Sequence, residues 1–553
     1  MSVTYLDICL GAVAVYLLNK VLLSKKLPGP LPAGPRPLPL IGNLLDMPTS
    51  KEWEKYAELA QKYGGSALVT VFGSNILLVS DGDLAIEMLD KKSAKYSSRP
   101  VLQMGGELSG WKDTLILLRY GPTFREYRRY FHQVLGSQAS MKQFQPIEEY
   151  ETAKFLQRVA AKPEDLSEHV RRTAGAIILR IAYGYELQDI NGRDPLVDLV
   201  DEAIGQFSAS TSPGAWLVDV MPVLKYVPEW IPGATFKKLA RQWNVCLNSM
   251  VDKPYDLTKK QMADGVAPPS LVSNALENEA SLTAQELHNI KWAAGSMYSG
   301  GADTTVSAIY SMFLAMTLFP EVQKKAQAEI DAVVGNDRLP NFSDRANLPY
   351  CNAILKEVLR WNVVAPLAVP HVTEEEDWQD GKYIPANTLV IPNIWWMLRD
   401  PARYPNPEQF DPERHIPAPG RTVQTDPRTF TFGFGRRECP GLNLADASLF
   451  ISIVMSLAVF DISPVVENGV AKPPVYEILP GTIWYVAPCG GVSASTDERR
   501  DLQPPQAIQV RYQAAFSEGC GPASARAHAL IASALLDYCS PSLTLSNSNT
   551  ALV

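Results

Sequence analysis

FTFGFGRRECPGLNLA, residues 430–445, sets one cysteine, Cys439, between an Arg-Arg-Glu run and a Pro-Gly turn, just after two aromatic–glycine pairs. A lone cysteine in a turn is ordinarily an inert core residue. Such a residue needs neither cations beside it nor glycines before it, whereas a thiolate gains from both. Arg436 and Arg437 favour ionised sulfur, as do backbone N–H groups left unpaired where a loop turns into a helix. Pro440 and Gly441 suit that turn, and the apolar LNLADASLFISIVMSLAVF behind it reads as a long buried helix. Gly433 and Gly435 let the backbone pass close to something flat and bulky.

Outward from this loop, the chain has 553 residues, a net charge of −8 and a pI near 5.5, a balance that argues against nucleic acid as partner. Its seven cysteines are scattered and form no CxxC pair, which fits a reducing compartment and excludes a zinc ribbon or a disulfide scaffold. Tyr5 to Leu23 is apolar and about as long as the ~20 residues a bilayer span needs. Lys25 and Lys26 follow it, so the positive-inside rule leaves the bulk of the chain in the cytosol. A cleaved signal peptide fits less well, lacking a basic start and an A-x-A site. Residues 1–26 are therefore expected to be a single-pass membrane anchor and 27–43, LPGPLPAGPRPLPLIGN, a stiff proline-rich hinge.

From residue 44 to 489 the pattern predicts one large, mainly α domain with a minor β part. Residues 52–64 have helical spacing, 68–80 read as a hairpin, 99–120 as a loop region, 124–135 as a basic amphipathic helix and 173–187 as a core helix. Thr283 and Glu286 form a T-x-x-E capping box that opens the longest helix, and Pro320 closes it after ~35 residues, or ~50 Å. GTIWYVAP, 481–488, reads as a terminal strand. GGVSASTDERRDLQPPQ, 490–506, is low in apolar content, and although ARAHALIASALLDY, 525–538, could form a helix, residues 490–553 read as a flexible appendage or an artefact of the gene model.

Three further motifs bear on Cys439. SGGADTTVSA, 299–308, puts two adjacent glycines in a helix interior, where each costs ~1 kcal/mol against alanine, followed by Asp303, Thr304 and Thr305. Something should approach the backbone there; the plain alternative is a kinked core helix. Glu357 and Arg360 in KEVLRW, 356–361, share a helix face and pair weakly if exposed. Arg414 in FDPERH, 410–415, offers a second guanidinium for a buried Glu-Arg-Arg network.

In this order, ahead of F-x-x-G-x-R-x-C, the motifs resemble the cytochrome P450 family from the anchor to about Cys489. The resemblance implies the P450 fold and a heme b cofactor with Cys439 as proximal thiolate ligand to iron. Phe432 then shields the sulfur and Gly435 admits the porphyrin. Asp303 and Thr304 fall where the family places its catalytic acid–alcohol pair, and Arg128, Arg437 and His371 where propionates are held. Glu357, Arg360 and Arg414 match the structural network behind the heme. Two departures stand out: Phe124 where tryptophan is usual four residues before Arg128, and His415 where phenylalanine is usual.

PHVTEEED (370–377) and GKYIPANTLVIPNIWWMLRDP (381–401) have the flavour of fungal secondary-metabolism members. The expected activity is a monooxygenase of the endoplasmic reticulum membrane, fed by NADPH–cytochrome P450 reductase and using O2. The apolar VAPLAV, 364–369, implies a lipophilic small molecule such as a terpenoid or polyketide. The rival readings are a thiolate-heme isomerase or dehydratase that needs no O2, against which Asp303–Thr304 speaks, and a non-catalytic heme-binding protein.

Overall fold

The computed structural model describes residues 27–486 apart from 189–192, 232, 336, 468–469, 473–477 and 480–484. The expected anchor, 1–26, and the expected appendage, 490–553, lie outside the described residues.

The first helix, α1 (Glu52–Lys62), leads into the hairpin of β1 (Ser66–Val71) and β2 (Ser74–Val79). The helical body follows: α2 (Pro122–Leu135), α3 (Gln145–Ala161), α4 (Leu166–Tyr183), α5 (Pro195–Thr211), α6 (Thr235–Ala263), α7 (Ala284–Leu318), α8 (Pro320–Val333) and α9 (Pro349–Trp361). Four short strands come next, β3 (His371–Val372), β4 (Asp377–Gln379), β5 (Lys382–Ile384) and β6 (Leu389–Pro392), then α10 (Leu442–Val459). The main sheet has the order β1-β2-β6-β3, with β2 and β6 parallel from Ile76↔Leu389 to Val79↔Pro392. Tyr485–Val486 pairs with Ile478–Leu479, which puts a two-residue strand inside the expected 481–488; its other residues lie outside the described residues.

Helix α7 begins as its capping box dictates. The Thr283 hydroxyl accepts the Glu286 N–H, and the Glu286 carboxylate accepts the Thr283 N–H. It runs 35 residues to Leu318, and the chain turns by 106° into α8. Packed on by α2, α4, α5, α6 and α10, it is the axis of the helical body. Among the described residues α10 is long and apolar enough to cross a membrane, with mean hydropathy 1.8 over 18 residues, yet 72% of it is buried, which makes it a core helix here.

Three segments differ from expectation. Helix α4 stops at Tyr183, not near 187, because Gly184 takes the left-handed conformation (φ +70°) and its N–H caps the Arg180 carbonyl. The 99–120 region carries a π-type turn at Gln103–Leu108 and a 3-10 turn at Trp111–Asp113. The proline-rich 27–43 segment is an extended strap bonded to the body. Leu68 N–H donates to the Ala33 carbonyl, Tyr383 N–H to Pro30, and Asn43 N–H to Thr70.

Candidate heme–thiolate site

The Cys439 loop lies between a one-turn helix, Arg428–Thr431, and the start of α10. It is closed by the Cys439 N–H donating to the Phe432 carbonyl at 2.8 Å, which fixes Phe432 as the loop's first clamp. Cys439 is exposed, yet burial is the main influence on its thiol and pushes it up; the Gly441 N–H and Arg128 pull the other way. The cation whose charge favours the thiolate is thus Arg128, from α2. The expectation that Arg436 and Arg437 serve it is overturned: Arg436 stacks over the Tyr120 ring and Arg437 turns to backbone carbonyls. Arg128 itself donates to the Glu438 carbonyl at 2.6 Å. A metal at the sulfur would remove the thiol proton outright.

A Cβ on Gly435 (φ +51°) would sit 2.5 Å from the Leu89 carbonyl oxygen, so the close approach there is the chain's own backbone. At Gly433 a positive φ of 78° is the requirement.

Beside this loop a group of cations meets no carboxylate. Arg437 donates to the carbonyls of Ser97, Leu115 and Leu118, and its guanidinium lies 3.9 Å from the Phe124 ring centroid. Burial, reinforced by Arg128, pushes its pKa down to about 9. Arg99 donates to Ile116, Val369 and Pro370 carbonyls and is held well below the ordinary range by burial and by Arg437. His371 donates Nδ1–H to the Tyr96 carbonyl at 2.7 Å, and burial, Arg99 and Arg437 keep it neutral. That tautomer leaves Nε2 an acceptor, so His371 can donate to an anion only by taking up a proton.

Among the described residues none of Arg99, Arg128 and Arg437 lies within 4 Å of a carboxylate. Arg99 and Arg437 are buried with only carbonyls as hydrogen-bond acceptors, and two carboxylates brought by a ligand would pair with them. The residues therefore fit a heme with two propionates. Arg99 escaped sequence reading because it sits before a proline in an aperiodic stretch.

Phe124 acts as the platform under Arg437. Phe124→Leu removes that cation–π contact, worth ~2 kcal/mol in a desolvated setting. Heme transfer from the variant to an apo-globin trap is expected to be faster than from wild type; an equal rate would mean Phe124 does not support the site.

On α7, Asp303 is 2% exposed, and its Oδ1 is 3.5 Å from Arg171 Nη1, which also reaches Asp201 Oδ1 at 3.4 Å. Burial raises its pKa to about 7 against the pull of Arg171, and Oδ2 has no protein partner. Thr304 donates to the Gly300 carbonyl at 2.8 Å, leaving its oxygen lone pairs free. Consecutive helix residues point about 100° apart, and these two are not hydrogen-bonded to each other. The paired glycines are unequal: Gly301 admits Ile178 of α4, whose Cδ1 lies 2.8 Å from a built Cβ, whereas Gly300 has open space there.

Behind the site Glu357 is fully buried. Arg360 grips it with Nε at 2.9 Å and Nη2 at 2.8 Å, and Arg414 Nε donates at 3.1 Å. The Asp411 N–H donates to Oε1 at 2.9 Å and His415 Nε2 to Oε2 at 3.0 Å, the latter a role that sequence reading, which took it for a mere departure, did not find. Burial opposes charge at Glu357, but these donors prevail and hold its pKa below the ordinary range.

The sequence model of the Cytochrome P450 family matches residues 32–477. The chain is 52% identical over 460 residues, 83% of this chain and 89% of the relative, to Cytochrome P450 monooxygenase 208 of Postia placenta. It is 44% identical over 88% of its length and 90% of the relative to Cytochrome P450 monooxygenase claR of Ampulloclitocybe clavipes. O-methylsterigmatocystin oxidoreductase of Aspergillus flavus is 37% identical over 86% of this chain and 90% of that protein.

Proposed function

Because the chain belongs to the cytochrome P450 family, and so is a monooxygenase with heme on a cysteine thiolate, we propose that Cys439 is the iron ligand and that the substrate is a lipophilic small molecule of fungal secondary metabolism, a terpenoid or polyketide. The supporting observation is that Arg99 and Arg437, buried beside the Cys439 loop, have only backbone carbonyls as hydrogen-bond acceptors. Arg99 and Arg437 would take the propionates, with His371 joining them once protonated, and Arg128 would bridge loop and α2.

Heme bound through a thiolate supplies reductive O2 activation, one oxygen atom entering a C–H bond and the other leaving as water. The chain's own part is orientation and proton delivery. Thr304 Oγ1, anchored on the Gly300 carbonyl, holds a hydroxyl over the open side of α7. Asp303, held by Arg171 and with its pKa near 7, can pass protons inward from solvent by way of Asp201, whose side chain reaches the surface. Because the two are not bonded, a water would have to join them.

Electrons would come from NADPH–cytochrome P450 reductase. Residues 1–26 would anchor the protein in the endoplasmic reticulum membrane, helped by the exposed Leu217, Val223, Tyr226 and Trp230 between α5 and α6.

The test is turnover of a lipophilic panel with reductase, NADPH and labelled O2. Label should appear in product only with NADPH; product formed without it would favour the O2-independent isomerase or dehydratase. In Thr304→Ala, product per NADPH should fall about tenfold or more while peroxide rises, since proton delivery alone is lost. Wild-type coupling in that variant would sink the relay.

A further inference from the structure

The Cys439 loop joins two parts of the core that are packed separately. Before the sulfur, Phe430 and Phe434 are buried with Leu89 and Tyr404. After it, Leu449 and Phe450 of α10 are buried in the cluster built around α7 and α9, on which Phe432 also leans. Apolar burial is non-directional, so neither cluster by itself fixes how the two ends of the loop stand to each other.

Across that border runs a row of alternating charges. Lys356 of α9 meets Asp426 Oδ2 at 3.0 Å. Arg428 holds the same carboxylate with Nε at 3.0 Å and Nη2 at 2.7 Å, and its remaining nitrogen, Nη1, donates to Asp446 Oδ1 at 3.1 Å. Asp446 stands on the second turn of α10 with its side chain 4% exposed, and Arg345 Nη2 takes its Oδ2 at 2.6 Å. Burial opposes charge at Asp426, but the bonds from Arg428 and Lys356 prevail and hold its pKa below the ordinary range. A planar fork can grip one carboxylate with two nitrogens and a second with the third, which a lysine cannot.

The two arginines on Asp446 have different reach. Arg428 opens the one-turn helix that precedes the loop, so its bond to α10 spans the loop from end to end. Arg345 comes from the 3-10 turn Phe342–Asn347, lies over the Phe450 ring and donates Nε to Asn352 of α9 at 3.0 Å. It ties α10 to the body instead. What the loop must keep is the Cys439 N–H on the Phe432 carbonyl and the Gly441 N–H that favours the thiolate. A shift between the 426–431 flank and α10 pulls on the first and moves the second away from the sulfur, which then holds a proton more readily.

We propose that Arg428 and Asp446 are positioning residues, a clasp across the two ends of the Cys439 loop that keeps the sulfur in the geometry of a thiolate ligand. The proposal rests on the reading of Cys439 as the iron ligand.

The experiment uses the full-length heme protein and its Arg428→Gln, Asp446→Asn and Arg345→Gln variants. Each is held in mild urea below its unfolding transition. The share of reduced, CO-bound heme that has lost the thiolate-type absorption is then measured, together with exchange of the 432–441 amides by mass spectrometry. Arg428→Gln and Asp446→Asn should each raise that share about three- to fivefold and speed the exchange. The double variant should be no worse than either, because both remove one bond. Asp446→Asn leaves the Arg428–Asp426 pair in place, so agreement between the two isolates the bond across the loop. Arg345→Gln should lower the thermal midpoint while share and exchange stay at wild-type values. Arg428→Lys, which keeps the charge but not the fork, should fall between wild type and Arg428→Gln.

Unchanged exchange in Arg428→Gln and Asp446→Asn would remove the clasp. Faster exchange with an unchanged CO spectrum would remove its hold on the thiolate, and an equal effect in Arg345→Gln would reduce it to general stability. A wild type without thiolate-type absorption would overturn the heme reading instead, while the exchange measurement still decides whether the clasp exists.

Discussion

Replacing Cys439 by serine is expected to abolish the thiolate-type absorption of the reduced, CO-bound protein and, with it, monooxygenation. A serine oxygen in the same loop would keep the Phe432 clamp and the Gly441 turn, since both are backbone features. Heme content should therefore fall less than activity. Removing an outer-shell partner of a metal site already costs roughly 10–100-fold, so loss of the ligand itself should exceed that. The control is Cys351→Ser: Cys351 is buried and accepts no heme role here, and its replacement should leave the CO spectrum alone. An unchanged spectrum in Cys439→Ser would overturn the ligand assignment.

The second large effect is expected at Glu357. Glu357→Ala leaves Arg360 and Arg414, both buried, facing each other without their shared anion. Breaking a buried ion pair by removing one partner costs about 3–5 kcal/mol, a large part of an ordinary domain's stability. The variant should accumulate little heme protein in cells, and what is recovered should melt well below wild type. Glu357→Gln keeps one acceptor oxygen and should be intermediate. His415→Phe deletes one of the two donors to Oε2, so it should cost about 1–3 kcal/mol, measured as a lowered thermal midpoint. Wild-type heme content and midpoint in Glu357→Ala would show that the network is incidental to the fold.

Much of the site was legible because its signals are local. The capping box at Thr283 names the start of α7 from two residues three apart, and Gly441 at the head of α10 is a turn in any context. Glu357 and Arg360 are one helical step apart, so their pairing follows from spacing. What escaped has no local signature. Arg99 becomes a ligand-binding candidate only when 97–118, 369–371 and 437 converge in space. Arg436 and Arg437 adjoin Cys439 in the chain, yet the cation whose charge favours the thiolate comes from α2, because Arg436 lies over Tyr120 and Arg437 turns to backbone carbonyls. The 27–43 segment was readable as extended from its prolines, but its bonds to Leu68 and Tyr383 depend on a sheet assembled from distant parts.

That sheet has a schedule. The hairpin of β1 and β2 leaves the ribosome early, but the strand that pairs beside β2 begins at Leu389, roughly 300 residues later. At synthesis rates of ~5–20 residues per second, β2 waits about 15–60 s for its neighbour. The strap is in the same position, its Pro30 carbonyl idle until Tyr383 emerges. During that interval Ile76 to Val79 present a row of unpaired N–H and C=O groups on an apolar strand, a template for any other nascent chain nearby. Slower elongation prolongs the wait, whereas a chaperone that shields the open edge bridges it. The yield of folded protein should therefore depend on how that single strand is kept company before its partner is made.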